Sequence, residues 1–387
     1  MNIIQGFDVL LSSLPTKMGL TAADTNGPLE YYYEYSSSYI ETYSDPATNE
    51  PCYSKEHSYL ERFITILYTV TFILGCLGNI FVIIVMSFRR TTRRLVDTFV
   101  INLALADLIF VFTLPLWSVS AATDNHWRFG DSLCKLSSYI ISVNKFSSIA
   151  FLTCMSVDRY LAVVRLLDTR FVRNKRCILI ACVTIWLVSL VMGLPSLIYR
   201  YVLRDGNSTR TLCVEETQSA FYNAFSLSSL LLTFVVPLTI ILFCYGSIYM
   251  RLHTRFEMAN VEIKRNNSLK IVFSIVTAFI CSWLPFNVFK AIWLMDLLKM
   301  TTLSCQGIAT VKWGLTCTAS FAFFNSCVNP IIYMSLDRHF RLQALQLRLR
   351  AFRKHKRVSS GCSSNSSGTD SMIASRSRIT SLSTLYC

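Results

Sequence analysis

Five ionisable residues interrupt the long apolar runs of this 387-residue sequence and are the first candidates for chemistry: Asp107, Lys145, Asp158, Arg159 and Lys290. A charged side chain in an apolar environment is costly unless water, an ion or a partner reaches it, so such residues generally mark a functional site. None of the five histidines lies inside an apolar run, and no metal-ligand spacing stands out. The pattern therefore favours recognition of ions and ligands, and we predict neither an enzyme nor a bound metal centre.

The elements that must position these residues are membrane helices. Hydrophobic residues make up 52% of the chain and charged residues 16%, whereas a soluble domain carries about a quarter charged residues. A bilayer core about 30 Å thick needs about 20 apolar residues per helix. We predict an all-α fold, a seven-transmembrane helix bundle within residues 61–335. Its spans are expected at residues 63–88, 96–121, 133–164, 177–199, 220–250, 269–295 and 308–334.

The distribution of basic residues predicts the orientation of this bundle. Lysines and arginines concentrate after the first, third, fifth and seventh spans, and loops rich in them generally face the cytoplasm. We therefore expect a multi-pass protein of the plasma membrane with an extracellular N-terminus. The formal net charge of +14 then belongs to cytoplasmic loops, and we predict no nucleic-acid partner. Asn207 heads a sequon in an outer loop and is predicted to be glycosylated.

The outer tail, residues 1–60, has the opposite charge. It holds eight acidic and two basic residues, so it would attract a basic protein ligand and raise the association rate. Tyr31, Tyr32, Tyr33 and Tyr35 cluster among these acids and are predicted to be sulfated.

The chain after the seventh span contains two further segments. Residues 336–352 show apolar residues at helical spacing beside a basic face, which predicts an amphipathic helix 8 lying on the inner leaflet. Residues 353–387 are rich in serine and threonine and are predicted to be a cytoplasmic tail open to kinases.

Four of the fourteen cysteines fall on the predicted outer side: Cys52, Cys134, Cys213 and Cys305. Disulfides can form there, but four cysteines allow three pairings and the residues alone leave the choice open. Cys134 also indicates the depth of the charged residues in the third span. Arg159 follows it by 25 residues, which is about 37 Å of helix. The Asp158–Arg159 pair is therefore expected near the inner surface, where water or a partner protein can reach it.

Residues 60–350 resemble the rhodopsin-like (class A) G-protein-coupled receptors. The motifs that carry the resemblance are Gly78-Asn79, LALAD ending at Asp107, DRY at 158–160, Trp186, Pro237 with Tyr245, SWLPF at 282–286 and NPIIY at 329–333. Seven anchors in one order are far more specific than DRY alone. Within the family, TLPLW at 113–117, ISVNKF at 141–146 and the two outer cysteine pairs are similar to the chemokine, angiotensin and apelin group of peptide receptors.

The resemblance implies two disulfides, Cys134–Cys213 and Cys52–Cys305, and three functional groups. The residues implied in G-protein coupling are Asp158, Arg159, Tyr245 and Tyr333. Those implied in an activation switch are Pro237, Ile149, Phe279 and Trp283. Those implied in a sodium pocket are Asp107, Asn144, Ser148, Asn325 and Asn329. An allosteric sodium ion is the one cofactor that this reading allows.

The residues predicted to bind the ligand are Lys145, Lys290, Trp117, Trp283, Lys312 and Arg200. Such a cavity is basic, so we expect a ligand carboxylate, such as a peptide C-terminus, to be received by Lys145. Ala319 stands where chemokine receptors often carry a glutamate, which argues against a ligand anchored by an amine. The implied partners are a basic peptide or chemokine-like protein with an acidic group or C-terminal carboxylate, heterotrimeric G proteins of the inhibitory class, arrestin and receptor kinases.

Three other functions are weighed against a signalling receptor. A decoy or scavenger receptor would bind without signalling, but DRY and NPIIY are intact. A transporter would need internal repeats or a polar pathway, and the first, fourth and fifth spans carry no charge in their middles. A retinal-binding protein needs a lysine in the middle of the seventh span, whereas Lys312 lies at the outer end of that span.

Overall fold

A computed structural model describes residues 58–88, 95–164, 174–204, 209–253, 262–338 and 340–349. Seven helices in this part of the chain are long and apolar enough to cross a membrane. They are α1 (Tyr59–Ser87), α2 (Val96–Ala122), α3 (Gly130–Val163), α4 (Lys175–Ile198), α5 (Ala220–Arg251), α6 (Lys270–Leu297) and α7 (Cys305–Leu336). The predicted bundle is confirmed, and the predicted spans differ from these bounds by at most four residues.

Several predictions concern residues outside the described ranges. These are the acidic outer tail with Tyr31, Tyr32, Tyr33 and Tyr35, the sequon at Asn207, Cys52, and the serine- and threonine-rich residues 353–387. They stay predictions. Cys305 is disulfide-bonded, but Cys52, its predicted partner, is among these residues.

Three of the membrane helices are interrupted. Helix α2 consists of Leu95–Val111 and Leu114–Ala122, and α4 consists of Lys175–Gly193 and Pro195–Ile198. In α5, a π-helical turn at Leu231–Val235 separates Ala220–Leu230 from Val236–His253. Each interruption lies beside a proline, namely Pro115, Pro195 or Pro237. Proline has no amide hydrogen and its ring collides with the preceding turn, so the helix gives way just before it.

One feature was absent from the sequence prediction, a hairpin between α4 and α5. Strands β1 (Arg200–Arg204) and β2 (Thr211–Glu215) pair antiparallel, with Arg200 opposite Glu215 and Val202 opposite Cys213. The Cys134–Cys213 disulfide ties β2 to the outer end of α3. The fold is therefore helical with one added hairpin, which the disulfide holds over the outer end of the bundle.

The inner half of the bundle holds the largest cluster of buried apolar side chains, which includes Leu152, Ile275 and Tyr333. Helices α1 and α7 approach closely there. A β-carbon on Gly78 would lie 2.8 Å from the ring of Pro330, so only glycine fits without displacing that ring. Outward-facing residues along the membrane helices are largely apolar and exposed, as expected for surfaces that face lipid.

Residues 340–349 form helix α8, as predicted. Phe340 is fully buried, with its ring centroid 5.7 Å from that of Phe81 in α1. Leu342, Leu345 and Leu349 share the opposite, exposed face. One end of α8 is thus held on the bundle while its apolar stripe remains available to a membrane surface.

Candidate functional site

A cavity of about 400 Å³ opens among the helices beneath the hairpin, within the range of roughly 300–1,000 Å³ usual for ligand pockets. Five of the six predicted ligand residues line it: Trp117, Lys145, Arg200, Trp283 and Lys290. The sixth, Lys312, does not. Its exposed side chain turns toward α6 and places its ammonium 5.5 Å from the ring centroid of Trp293.

Lys145 lies at the inner end of this cavity. It directly follows Asn144, which belongs to the polar network below, and its Nζ lies 5.0 Å from the ring centroid of Phe146. Within the described ranges, Lys145 makes no salt bridge or side-chain hydrogen bond. The cavity therefore contains a largely desolvated ammonium that lies against an aromatic face and has no direct ionic contact in the described part of the chain.

Lys290 and Arg200 are in a different situation, because Glu215 of β2 also faces the cavity. Lys290 Nζ lies 2.9 Å and Arg200 Nη2 lies 3.3 Å from Glu215 Oε2. Tyr222 Oη donates a hydrogen bond of 2.7 Å to Glu215 Oε1. Burial alone would raise the pKa of Glu215, but Lys290 and Arg200 outweigh it and lower the pKa to about 2. Glu215 is thus an ionised carboxylate with both oxygens bound.

Sequence reasoning missed this role of Glu215, which is not among the predicted site residues. One signal was available. Glu215 lies two residues after Cys213, and alternate residues of a strand face the same side. A disulfide at Cys213 therefore directs Glu215 toward the bundle as well.

A buried polar network lies below Lys145, around Asp107, which is 1% exposed. Asn144 Nδ2 donates to Asp107 Oδ1 at 3.3 Å, and Asn329 Nδ2 donates to Asp107 Oδ2 at 2.9 Å. Ser148 Oγ donates to Asn144 Oδ1 at 2.6 Å. The structure thus connects four of the five predicted sodium-pocket residues.

The fifth residue, Asn325, lies one helical turn before Asn329. The Oδ1 atoms of both asparagines are buried and accept no hydrogen bond in the described part of the chain. Free amide oxygens beside a carboxylate are the donor set that a small hard cation prefers. The residues present therefore fit a sodium ion.

The predicted switch residues lie between the cavity and the inner half. The rings of Phe279 and Trp283 stack with centroids 5.8 Å apart, and Ile149 belongs to the same buried cluster. Pro237 is buried on α5 directly after the π-helical turn. Trp283 touches both regions, since it also lines the cavity.

At the inner end, Arg159 Nη2 lies 3.3 Å from Asp158 Oδ2, and the two side chains are 13% and 6% exposed. Arg159 and Tyr333 line one small cavity together with Ile271 and Ile275 of α6. Tyr245 packs against both the main buried cluster and the neighbouring cluster that contains Val163. Arg159, the side chain predicted to receive a G protein, is therefore mostly buried and faces apolar residues of α6 across this cavity.

Comparison with known proteins gives one family and several close relatives. A family model described as 7 transmembrane receptor (rhodopsin family) matches residues 78–333. A mouse protein named probable G-protein coupled receptor 25 is 40% identical over 338 residues, covering 87% of this chain and 90% of the relative. Mouse G-protein coupled receptor 15 is 37% identical over 312 residues, covering 80% and 83%. Zebrafish apelin receptor A is 34% identical over 365 residues, covering 92% and 97%.

Proposed function

Because the chain belongs to the rhodopsin family of seven-transmembrane receptors, we propose that it is a plasma-membrane receptor for a secreted peptide or chemokine-like protein. Membership confirms the class A resemblance and makes the chain a multi-pass membrane receptor. The extracellular N-terminus follows from the loop charges. A relative named apelin receptor A and a cavity that lies beneath an outer hairpin support a peptide ligand.

The observation that carries the choice of ligand chemistry is the ammonium of Lys145, which lines the cavity but makes no salt bridge or side-chain hydrogen bond among the described residues. A carboxylate from the ligand, either its C-terminus or an acidic side chain, would complete the charge pair. Such a pair is strong when both partners are desolvated together. The rest of the ligand is expected to be basic, because residues 1–60 are acidic and would concentrate it at the membrane.

Transmission to the cytoplasm starts at Trp283, since this ring lines the cavity and stacks on Phe279. A ligand that fills the cavity changes this packing, and Ile149 and Pro237 must then repack. Outward movement of α6 would uncover Arg159 for a heterotrimeric G protein. Tyr245 and Tyr333 would then rearrange around the exposed guanidinium. The chemokine-type resemblance favours the inhibitory class of G proteins.

Two further parts of the proposal concern regulation. A sodium ion held by Asp107, with Ser148 and the amide oxygens of Asn144, Asn325 and Asn329 as further donors, would supply positive charge that offsets the burial of the carboxylate. It would thereby favour the resting conformation. The serine- and threonine-rich residues 353–387 would be phosphorylated by receptor kinases and then bind arrestin.

The test is a screen of secreted basic peptides on cells that express the full chain, with recruitment of an inhibitory G protein as the readout. Every active peptide is tested again with its C-terminus amidated. We expect Lys145→Ala to raise the half-maximal concentration at least about tenfold at unchanged surface expression. Lys135→Ala is the matched control, because Lys135 lies on the same helix and pairs with Asp131 outside the cavity. Unchanged dose–response curves for Lys145→Ala would refute the anchor.

The same assay separates signalling from scavenging. Arg159→Ala should abolish recruitment while leaving the binding of the active peptide unchanged, because Arg159 lies outside the ligand cavity. A wild-type chain that binds and internalises a peptide without recruiting any G protein would instead be a decoy receptor.

A further inference from the structure

The outer half of the cavity contains a complete set of donors for a carboxylate. Arg200 supplies a guanidinium, Lys290 an ammonium and Tyr222 a hydroxyl, and together they contact both oxygens of one carboxylate. The three come from β1, α6 and α5. In the resting conformation the carboxylate they hold is that of Glu215, a residue of the same chain.

The hairpin delivers Glu215 to these donors from a firmly held position. The Cys134–Cys213 disulfide lies two residues before it, and Arg200 is its cross-strand neighbour. The other strand is held as well, because Val202 N donates to Asp131 Oδ1 at 3.0 Å. The backbone thus places Glu215 over the cavity independently of any ligand.

Charge distinguishes the two halves of the cavity. Glu215 contacts Arg200 and Lys290 directly at the outer end, whereas Lys145 at the inner end makes no salt bridge within the described residues and interacts with Glu215 only at longer range. A ligand anion that enters the cavity can therefore bind Lys145 directly, whereas Arg200 and Lys290 are already bound to Glu215. Guanidinium and ammonium groups bind any carboxylate of suitable geometry, so the donors around Glu215 are not restricted to that side chain.

We propose that Arg200, Tyr222 and Lys290 form a second carboxylate-binding site, which the chain fills with its own Glu215. A second acidic group on a ligand reaches this site only by displacing Glu215. The site thus determines specificity, because it favours ligands that present a single carboxylate to Lys145. This inference deepens the proposed function and rests on it for the identity of the ligand, but the site itself is testable without any peptide.

Glu215→Ala provides a direct test, because the atoms it removes beyond the β-carbon correspond to acetate. The purified full-length chain is unfolded thermally in sodium acetate and in sodium chloride at equal sodium concentration, so that any sodium effect is constant. We expect acetate to raise the Tm of Glu215→Ala by about 2 to 4 °C relative to chloride. The wild type should show a smaller difference, because Glu215 already occupies the site and only Lys145 remains open to acetate.

Glu216→Ala is the matched control. Glu216 is the next residue, and among the described residues its side chain accepts only a local hydrogen bond from Gln218 N. It should behave as the wild type in both salts. The double variant Glu215→Ala/Lys290→Ala should respond to acetate no more than the wild type does, because the ammonium of the site is gone. Equal responses of Glu215→Ala and the wild type to acetate would overturn the site.

A second variant covers the case in which Glu215→Ala yields no folded protein. Glu215→Gln keeps the volume and the hydrogen bond with Tyr222 but removes the charge. Its Tm should therefore fall below that of the wild type and respond to acetate no more than the wild type does. A Tm equal to that of the wild type would overturn the site. Neither measurement uses a secreted ligand, so failure of the peptide screen leaves this result unaffected.

Discussion

The outer and inner ends of the bundle each hold a mostly buried cation paired with an acid, but the two pairs are built differently. Arg159 pairs with Asp158, its neighbour on α3. Lys290 of α6 pairs with Glu215 of β2, 75 residues away. The first pair stays within one helix, whereas the second connects two elements.

This difference has a consequence for α6, which touches both ends. Its outer end is bound through Lys290 to the hairpin by a directional ionic contact. At its inner end, the α6 residues that line the cavity of Arg159 are apolar, namely Ile271, Val272 and Ile275. Apolar packing is not directional, so these three side chains hold α6 less specifically than the ionic contact at its outer end does.

The largest expected loss of stability follows from removing the disulfide that holds the hairpin at the outer end of the bundle. Cys213→Ser breaks the bond to Cys134 and should cost about 2–5 kcal/mol of unfolding free energy, measured by thermal unfolding and surface expression. Cys281→Ser is the control, because Cys281 is a free, exposed cysteine of α6. If both variants unfold alike, the hairpin does not depend on the disulfide.

The variants Lys290→Ala and Lys145→Ala test two cations of the same cavity, one with a salt bridge and one without a described salt bridge. Removing Lys290 weakens the support of the buried Glu215 carboxylate and should lower the free energy of unfolding by about 1–3 kcal/mol. Removing Lys145 deletes a desolvated charge with no described counter-ion and should cost less, or stabilise the resting state. Thermal unfolding without ligand measures both. The opposite order would show that Lys145, not Lys290, holds the resting structure.

The polar network between the two ends gives a smaller effect. Replacing choline chloride by sodium chloride should stabilise the wild type by about 1.4 kcal/mol once sodium reaches ten times its Kd. Asp107→Asn should abolish this dependence, because the carboxylate is gone. Thermal unfolding in the two salts is the measurement, and an Asp107→Asn chain that still responds to sodium would place the ion elsewhere.

The smallest expected effect is that of pH on the Tm difference between the wild type and Glu215→Gln, which should be close to zero near neutral pH. The pKa of Glu215 lies at about 2, below its ordinary value of 4.5. A lowered pKa gives stabilisation that is complete above the ordinary value and is lost only as the pH falls toward 2. The difference in Tm between the wild type and Glu215→Gln should therefore stay constant from about pH 5 to about pH 8. A difference that vanishes in this window would mean that Glu215 is not held as an ion.

The helices and their order were predictable, whereas the contents of the cavity were only partly so. Trp117, Lys145 and Trp283 line it as expected, because helical periodicity determines which side of a span faces inward. Lys312 does not, since a long flexible side chain near a helix end can turn to a neighbour such as Trp293. Glu215 was missed because the hairpin that directs it inward was not predicted.

The sequence by itself determined the seven spans, their order and the motifs that place the chain in its family. These depend on local properties, because a segment in lipid must satisfy its own backbone hydrogen bonds and does so as a helix. The Asp158–Arg159 pair is local for the same reason. Only the tertiary structure decided that Glu215 neutralises Arg200 and Lys290 while Lys145 stays open. That choice depends on distances of a few ångströms between segments far apart in the chain, which the disulfide and the hairpin register establish.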